Sequence, residues 1–278
     1  MQRRIPHVRH CICTIHFMKI HFYKYQATGN DFVMIDNRSG ELSLSIEQIQ
    51  KICDRKFGVG ADGLMLIEKD PKLDFNLIYY NQDGSQSLCG NGSRAAMSFA
   101  SFLKIVNGQA AFTAYDGRHD AMLVKDGIVR LKMNDTKAIV RDGDDLWIDT
   151  GAPHLMRFVK HIKSFPVFEE GKKIRYSEAY KPNGTNANFV ELLPDNTIFV
   201  RTYERGVENE TLSCGTGVTA AALAASTKGY TSPVKIKTLG GELSVEFKTS
   251  QSAISPETFQ EIFLVGPAKQ VFLGTIEV

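Results

Sequence analysis

The sequence lacks three features that would assign it to a broad class of proteins. Its 278 residues contain no run of about 20 apolar residues, the length that a membrane-spanning helix needs. Its formal net charge is only +2, which leaves no basic surface dedicated to nucleic acid. Its five cysteines are an odd number without a secretory signal, a pattern that favours a reducing compartment. We therefore expect a cytoplasmic globular protein that binds neither membrane nor nucleic acid.

Residues 1–17 differ in composition from the rest of the chain. They contain Arg3, Arg4 and Arg9 and no acidic residue. Their apolar stretch is broken by His16 and is too short for a secretory core with a cleavage site. An organelle-targeting peptide is one interpretation, but a start codon upstream of a true start at Met18 is favoured. We expect residues 1–17 to be a dispensable N-terminal extension.

One glycine-rich stretch matches a dinucleotide-binding pattern in its letters but not in its context. Gly58 to Gly63 reads G-x-G-x-x-G, and Asp83 follows twenty residues later. In dinucleotide sites that pattern follows a strand and opens a helix. Here a helix predicted from Ser45 to Arg55 precedes it, and the predicted strand Leu64–Ile67 follows. We predict no dinucleotide cofactor.

A Cys-Gly-polar-Gly motif occurs twice, as Cys89-Gly90-Asn91-Gly92 and as Cys214-Gly215-Thr216-Gly217. Each copy runs into a segment of small residues that reads as a helix. The start of a helix has unpaired N–H groups and a partial positive charge, so it binds carboxylates and lowers the pKa of a cysteine placed there. Two such helix starts facing each other would surround one carboxylate with two thiols. That arrangement suits proton transfer at the adjoining carbon.

Two simpler interpretations compete with this one. Both cysteines could be small core residues beside glycines that start helices, or they could form a redox pair. The second is less attractive because they come from different parts of the chain without Cys-x-x-Cys spacing. Cys53, on the apolar side of its predicted helix, is expected to be a buried, inert thiol.

The order of elements predicts a duplicated unit. Thr185–Glu191 resembles Thr28–Met34, and each precedes one copy of the cysteine motif. We assign the greater length of the first copy to an insertion between Ser45 and Ile67. Many short strands around one central helix in each copy predict an α+β fold of two pseudo-symmetric domains, each a curled sheet around its helix. The polar stretch Asn134–Asp145 is the best boundary.

From Met18 onward the chain resembles the diaminopimelate epimerase family. Any one of the shared motifs is weak, but seven in this order are specific. They are Thr28-Gly29-Asn30-Asp31-Phe32, Asn81-x-Asp83-Gly84-Ser85, Cys89-Gly90-Asn91-Gly92-Ser93-Arg94, Gly151-x-Pro153-His154, Asn186-x-x-Phe189, Glu204-Arg205-Gly206 and Cys214-Gly215-Thr216-Gly217.

The resemblance implies an isomerase that interconverts LL- and meso-diaminopimelate in lysine and peptidoglycan synthesis, with no cofactor and no metal. It also implies two similar domains that meet at a cleft. We place them at residues 18–135 and 136–267, with a last strand at about 268–278 that returns to the first domain. A homodimer is a candidate assembly.

The implied chemistry is consistent with the residues present. The α-hydrogen of an amino acid is a very weak acid, so its removal requires donors at the carboxylate and a base and an acid on opposite faces. The resemblance implies that Cys89 takes the proton from the LL substrate and that Cys214 supplies the new one. The expected carboxylate cradle consists of the backbone N–H groups of Gly90, Asn91, Gly215 and Thr216.

The second amino-acid head of the substrate must also be held. Arg205 suits its carboxylate through a bidentate fork, and Glu204 can pair with an ammonium group. The side-chain amides expected to contribute are those of Asn30, Asn81 and Asn186. His154 has two interpretations, a buried structural histidine or, by resemblance, a residue that assists proton handling with Glu204.

The chain departs from the family pattern at two positions, and other functions compete. Many relatives have Asn where this chain has Ala152, and some have Gln where it has Gly63, so details of the recognition of the second head can differ. The nearest alternative is a proline or hydroxyproline racemase of the same architecture. A non-catalytic ligand-binding protein and a thiol redox switch are further alternatives.

Overall fold

The computed structural model describes residues 18–125, 127–136, 138–252 and 255–278. The predicted dispensable extension, residues 1–17, lies outside the described residues. None of the helices within these ranges is long and apolar enough to cross a membrane.

The first half of the molecule comprises seven strands and two helices among the described residues. Helix α1 begins after Ser45, whose side chain and that of Gln48 form the predicted capping box. Helix α2 follows the fourth strand and begins at the first cysteine motif. The elements are β1 (Lys19–Ala27), β2 (Asn30–Asp36), α1 (Ile46–Cys53), β3 (Gly63–Glu68), β4 (Phe75–Asn81), α2 (Gly90–Phe102), β5 (Gln109–Ala114), β6 (Gly117–Lys125) and β7 (Ile128–Lys132).

The second half begins with β8, and one further strand closes the chain. Two short 3₁₀ turns, Ile162–Ser164 and Glu178–Tyr180, flank α3. The elements are β8 (Val140–Asp142), β9 (Asp145–Asp149), β10 (Pro153–Phe158), α3 (Val167–Arg175), β11 (Asn186–Leu193), β12 (Thr197–Glu204), β13 (Asn209–Thr211), α4 (Gly215–Ser226), β14 (Val234–Thr238), β15 (Gly241–Ser252), β16 (Ser255–Pro267) and β17 (Lys269–Glu277).

The two halves repeat one pattern of strand pairing. From β1 to β7, each strand pairs with the next, and the pairs are antiparallel, parallel, antiparallel, parallel, antiparallel and antiparallel. The same series runs through β9, β10, β11, β12, β14, β15 and β16. Each half places its motif helix, α2 or α4, after the fourth strand of the series. The predicted duplication and α+β class are confirmed.

The predicted alignment of the two copies is wrong by one strand. The segment Thr28–Met34 leads into β2, whose counterpart is β10, whereas Thr185–Glu191 leads into β11, the counterpart of β3. The predicted insertion is therefore no insertion, because α3 and β11 correspond to α1 and β3. Measured between true counterparts, Cys89 lies 59 residues after the start of β2 and Cys214 lies 61 residues after the start of β10.

Two contacts between strands join the halves. Strand β16 pairs antiparallel with β15 on one side and with β7 on the other. The last strand, β17, pairs with β1 from Lys19–Glu277 to Gln26–Lys269. The division into domains at residue 135 stays a prediction, since one sheet runs through both halves.

In each half, the sheet curls around the motif helix of that half. Ala220 to Ala225 of α4 are all buried, as predicted for a helix that is apolar on every side, and small side chains let strands approach it from all directions. A separate cluster beneath α1 contains Cys53, which is fully buried as predicted. Burial raises the pKa of the Cys53 thiol to about 11, so this thiol is inert near neutral pH.

Candidate functional site

The structure brings the two cysteine motifs together. Cys89 is the N-cap residue of α2, and Cys214 is the N-cap residue of α4. A Cβ atom added to Gly90 would lie 3.9 Å from Cα of Gly215, and one added to Gly215 would lie 3.5 Å from the backbone nitrogen of Asn91. The first turns of the two helices are thus in van der Waals contact. Their unpaired N–H groups lie around one small region between the halves.

Cys89 is half-buried and hydrogen-bonded on two sides. Its Sγ lies 3.4 Å from Oδ1 of Asn30, to which the thiol donates, and it accepts a bond of 3.4 Å from the N–H of Gly92. Burial raises the pKa of Cys89 to about 11, although the Gly92 N–H group and the charge of Arg94 act to lower it.

Cys214 is more deeply buried, with 7% of its surface exposed. Its Sγ lies 3.5 Å from Oγ1 of Thr216. Burial and then the charge of Glu204 raise the pKa of Cys214. The expectation that each helix start lowers the pKa of its cysteine is therefore wrong for the net shift, because desolvation of the thiolate outweighs the helix N–H groups.

Glu204, at the end of β12, is the acidic site residue predicted from the sequence, and its charge acts on Cys214. The hydroxyl of Thr211 donates to its carboxylate at 2.8 Å. Burial, together with the charge of Asp62, raises the pKa of Glu204. A carboxyl group with a raised pKa next to a thiol can share a proton with it at lower energetic cost than an exposed one.

His154 is fully buried, and neighbours occupy both of its ring nitrogens. Asn188 donates to Leu155 O at 3.0 Å and lies 3.1 Å from Nδ1 of His154, while its Oδ1 accepts from Thr202. This fixes the amide, so Nδ1 accepts and Nε2 carries the proton toward Oγ1 of Thr216, 2.9 Å away. Burial, then the charge of Arg205, lowers the pKa of His154 to about 3, so the imidazole is neutral.

Asn30 and Asn91 connect the two motifs. Asn30 Nδ2 donates to Asp62 at 2.6 Å, and Asn30 Oδ1 accepts from Asn91 at 3.3 Å. Asn91 also donates to the carbonyl of Ser213, just before Cys214, at 2.8 Å. The Asn91 side chain thus ties the start of α2 to the residue that precedes the cap of α4.

Asn186 holds the backbone of Arg205. Its Oδ1 accepts the Arg205 N–H at 2.8 Å, and its Nδ2 donates to the carbonyl of Pro153 at 2.9 Å. The Arg205 guanidinium reaches only the carbonyl of Asn183, at 3.4 Å, and forms an ion pair with no acid in the described ranges. It is therefore available to a carboxylate from outside the chain.

Asn81 bonds within its own turn. Its amide nitrogen donates to the side chains of Ser85 and Ser87 at 3.0 and 3.1 Å. These bonds shape the turn that leads to Cys89, and among the described residues this amide is hydrogen-bonded to neither cysteine. No three or more His, Cys, Asp or Glu side chains in the described part of the chain are grouped to hold a metal ion.

Equivalent strands place different side chains at the entrance of the site. In the first half, Gly63 pairs with Phe32 on one side and with Asn81 on the other. In the second half, Asn186 pairs with His154, and Glu204 follows the pair formed by Ala187 and Tyr203. The second half thus has His154 and Asn186 where the first has Phe32 and Gly63.

Sequence reasoning missed four residues of the site, namely Asp62, Tyr79, Arg94 and Asn188. A Cβ added to Gly63 would lie 2.3 Å from a ring carbon and 2.8 Å from the hydroxyl of Tyr79, so the ring fills the space beside this glycine. Burial, followed by the charges of Cys89, Asp62 and Glu204, raises the pKa of Tyr79. For Arg94 and Asn188 a signal existed, because both lie inside motifs quoted for the family resemblance.

Comparisons with known proteins agree with this geometry. The family model described as diaminopimelate epimerase matches residues 22–139 and 146–270. The diaminopimelate epimerase of Flavobacterium psychrophilum is 46% identical over 261 residues, which cover 91% of this chain and 99% of the relative. That of Chlorobaculum tepidum is 40% identical over 260 residues, covering 89% of this chain and 98% of the relative.

Solved structures show the same fold at low sequence identity. A Bacillus anthracis phenazine biosynthesis protein of the PhzF family has a TM-score of 0.69 at 14% identity, covering 94% of this chain and 99% of its own. A hydroxyproline epimerase from Agrobacterium vitis has a TM-score of 0.68 at 12% identity, covering 95% of this chain and 93% of its own. Proteins of other families thus share this fold. The family model and the relatives found by sequence all point to one family, and the chain belongs to the diaminopimelate epimerase family.

Proposed function

We propose that this chain interconverts LL- and meso-diaminopimelate by moving a proton at one α-carbon between Cys89 and Cys214. The observation that carries this proposal is that the chain belongs to the family and that both cysteines cap helices whose first turns touch. A carboxylate bound by the N–H groups of Gly90, Asn91, Gly215 and Thr216 would have its α-carbon between the two sulfurs.

In the proposed reaction, Cys89 acts as the base and Cys214 as the acid for the LL substrate. The Cys89 thiolate takes the α-proton, and negative charge develops on the carboxylate, where the helix N–H groups stabilise it. The Cys214 thiol then donates its proton to the opposite face, so the centre inverts. Cys89 ends as a thiol and Cys214 as a thiolate, to which the Thr216 hydroxyl can donate.

His154 fits a positioning role in this scheme. Because the neutral imidazole donates to Thr216 Oγ1, the Thr216 hydroxyl hydrogen is free to point at Sγ of Cys214. Asn188 fixes the tautomer from the far side. His154 then supports the proton transfer at Cys214 without itself gaining or losing a proton.

The second head of the substrate is assigned to the second half. The Arg205 guanidinium suits its carboxylate through a bidentate fork, with Asn186 holding the Arg205 backbone in place. Asn30 and Glu204 suit ammonium groups. Asn81 acts here through the turn that it shapes. Lysine and peptidoglycan synthesis as the destination of the product, a cytoplasmic location and a homodimer stay predictions.

A stereochemical assay tests the proposal. Purified protein with LL-diaminopimelate in deuterated water is expected to yield the meso isomer with deuterium at the inverted α-carbon, measured by chiral chromatography and mass spectrometry. Inversion with retention of the original hydrogen would contradict the two-base scheme.

Arg205→Met separates this function from a proline-type racemase. Loss of a charge-assisted fork is expected to lower kcat/KM for diaminopimelate by about 100-fold. Arg141→Met, at an exposed position of β8, is the matched control and should leave the rate unchanged. Activity on proline or hydroxyproline that survives Arg205→Met, with none on diaminopimelate, would support the alternative.

A further inference from the structure

The amide of Asn30, which contacts Cys89, has hydrogen-bond partners on two sides. Its Nδ2 donates to Oδ2 of Asp62 at 2.6 Å. Its Oδ1 accepts from Sγ of Cys89 at 3.4 Å and from Nδ2 of Asn91 at 3.3 Å. A side-chain amide has an acceptor and a donor on nearly the same shape, so its neighbours decide which of the two it presents. A carboxylate only accepts, so Asp62 takes the N–H₂ group of Asn30 and leaves the oxygen for the sulfur.

The amide of Asn91 is oriented in a similar way, by a group that only donates. Its Oδ1 accepts from Nη2 of the fully buried Arg94 at 3.0 Å. Its Nδ2 therefore donates, to the carbonyl of Ser213 at 2.8 Å and to Oδ1 of Asn30. The two amides thus form a chain of hydrogen bonds from Arg94 to Asp62, and a guanidinium at one end and a carboxylate at the other set its direction.

Asp62 is itself held by several donors, in the glycine-rich stretch between α1 and β3. Nη2 of Arg55 donates to Oδ1 of Asp62 at 2.7 Å, and the N–H of Asp31 donates to Oδ2 of Asp62 at 3.2 Å. Arg55 also forms a fork with Asp31, at 2.6 and 2.9 Å, and Asp31 pairs with the buried Lys24 at 2.7 Å. Both carboxylate oxygens of Asp62 thus have donors, and the group is fixed although its side chain is partly exposed.

The second half has different side chains at the equivalent positions. Asn30 lies two residues before the first residue of β2 that pairs with β3, and the same position before the β10–β11 pairing is Ala152. Asp62 lies one residue before the first β3 residue of that pairing, and its counterpart is Thr185. Neither counterpart has an amide or a carboxylate. The arrangement is therefore specific to the surroundings of Cys89.

We propose that Asp62 is a positioning residue for the reaction, which turns the oxygen of the Asn30 amide and not its N–H₂ group toward Cys89. In the site without substrate, this oxygen accepts from the Cys89 thiol. With substrate, it is the acceptor for an ammonium group, which an amide turned the other way would repel. The inference deepens the proposed function and rests on it for this catalytic meaning.

Asp62→Asn tests the orientation because it keeps the shape of the side chain. Arg55 only donates, so it still directs the oxygen of the introduced amide toward itself, and the N–H₂ group of that amide meets Asn30. Two N–H₂ groups repel each other, so Asn30 is expected to turn its own N–H₂ group toward Cys89. A donor to the thiolate lowers the pKa of a thiol, and we expect the pKa of Cys89 to fall by about one unit.

The pKa of Cys89 is measured on the full chain without substrate. Iodoacetamide reacts with the thiolate across a pH series, and the peptide that contains Cys89 is quantified by mass spectrometry. Alkylation of Asp62→Asn at neutral pH should be about tenfold faster than that of wild type. KM for diaminopimelate should rise about tenfold in the same variant, because an ammonium group loses its acceptor. The other ionisable groups that interact with Cys89 stay the same in every variant, namely Arg94 of α2, Glu204 of β12, Tyr79 of β4 and Cys214 before α4.

Loss of the Asp62 charge alone also lowers the pKa of a nearby thiol, and a double-mutant cycle separates this effect from the turn of the amide. In the Asn30→Ala background the charge is lost but no amide can turn. Asp62→Asn should therefore leave the pKa of Cys89 nearly unchanged there. Asp36→Asn is the matched control, since it breaks a similar fork, between Asp36 and Arg38 at the far end of β2, and it should not change the pKa of Cys89.

Circular dichroism and thermal melting show whether each variant folds, and Asp62→Ala, which frees the Asn30 amide, carries the test if Asp62→Asn does not. An unchanged pKa of Cys89 in a folded variant, or an equal shift with and without Asn30, would overturn the inference. Because alkylation needs no substrate, this result is distinct from failure of the proposed function. A chain that does not epimerise diaminopimelate can still show the shift, and an active epimerase can lack it.

Discussion

The two halves of the molecule have the same series of strand pairs but different charged side chains near their cysteines. Glu204 acts to raise the pKa of both thiols, whereas the charge of the buried Arg94 acts to lower the pKa of Cys89. The residue equivalent to Arg94 is Thr219. A duplicated scaffold has thus kept a cysteine at the N-cap of each motif helix, while the charged side chains near the two sulfurs differ. In the proposed reaction these two cysteines are the proton-transfer groups.

The largest expected effect comes from removing one sulfur at a time. Cys89→Ala and Cys214→Ala should each lower the rate of inversion by about 10³-fold, the scale of a lost acid or base. The two variants should differ in a second measurement, the exchange of the α-hydrogen with solvent. Cys214→Ala should still exchange the α-hydrogen of LL-diaminopimelate with deuterated water, seen by NMR, because Cys89 can remove and return it.

Cys53→Ala is the control for those variants, since Cys53 lies in the separate core beneath α1. It should retain activity. Inversion at wild-type rates in either Cys89→Ala or Cys214→Ala would contradict the assignment of both sulfurs.

A smaller effect is expected from changing Tyr79, whose ring fills the space beside Gly63. The Tyr79 hydroxyl would lie 2.8 Å from a Cβ added to Gly63 and has no hydrogen bond to the described residues, so it is free for substrate. Tyr79→Phe keeps the ring and should lower kcat/KM about tenfold, the value of one hydrogen bond. Tyr80 lies on the opposite face of β4, against the core beneath α1, so Tyr80→Phe should have no effect. If Tyr79→Phe and Tyr80→Phe change kcat/KM equally in steady-state kinetics, Tyr79 does not contact the substrate.

The smallest expected effect is on the free energy of unfolding, and it concerns His154 in the second half. The folded pKa of His154, about 3, lies below its unfolded value, so the unfolded chain binds more protons between about pH 3 and pH 6.5. The stability contributed by a neutral His154 is present above pH 6.5 and is lost as pH falls. Relative to wild type, His154→Gln should lose about 2 kcal/mol less between pH 7 and pH 5.

Denaturant unfolding at the two pH values measures this difference, with His21→Gln at an exposed position as the control. A wild type and a His154→Gln variant with parallel pH dependence would show that folding does not shift the pKa of His154.

Local sequence signals predicted the parts of the site that depend on local structure. Cys-Gly-polar-Gly before small residues indicates a helix start, and both cysteines cap helices. The rejected G-x-G-x-x-G stretch indeed lies between α1 and β3, where no helix begins. The family resemblance added residues such as Asn186 and Arg205, which local patterns alone do not single out.

What the sequence did not predict depends on pairing between distant strands. The similar letters of Thr28–Met34 and Thr185–Glu191 gave the wrong alignment, because only hydrogen-bond partners show that β2 corresponds to β10. From helix periodicity, Arg94 is only one of the residues of α2. The packing of β16 against it is what buries its side chain. The net pKa of each cysteine likewise depends on burial, which no local pattern gives.

The pairing of β17 with β1 has a consequence for synthesis of the protein on the ribosome. A chain emerges from its N-terminus and tends to fold as it does so. Here β1 stays without this neighbour until Lys269–Glu277 has been made, after all the other described strands of both halves. The first half to be translated is therefore the last to be completed, and its exposed β1 edge is the part of the nascent chain most in need of protection from other strands.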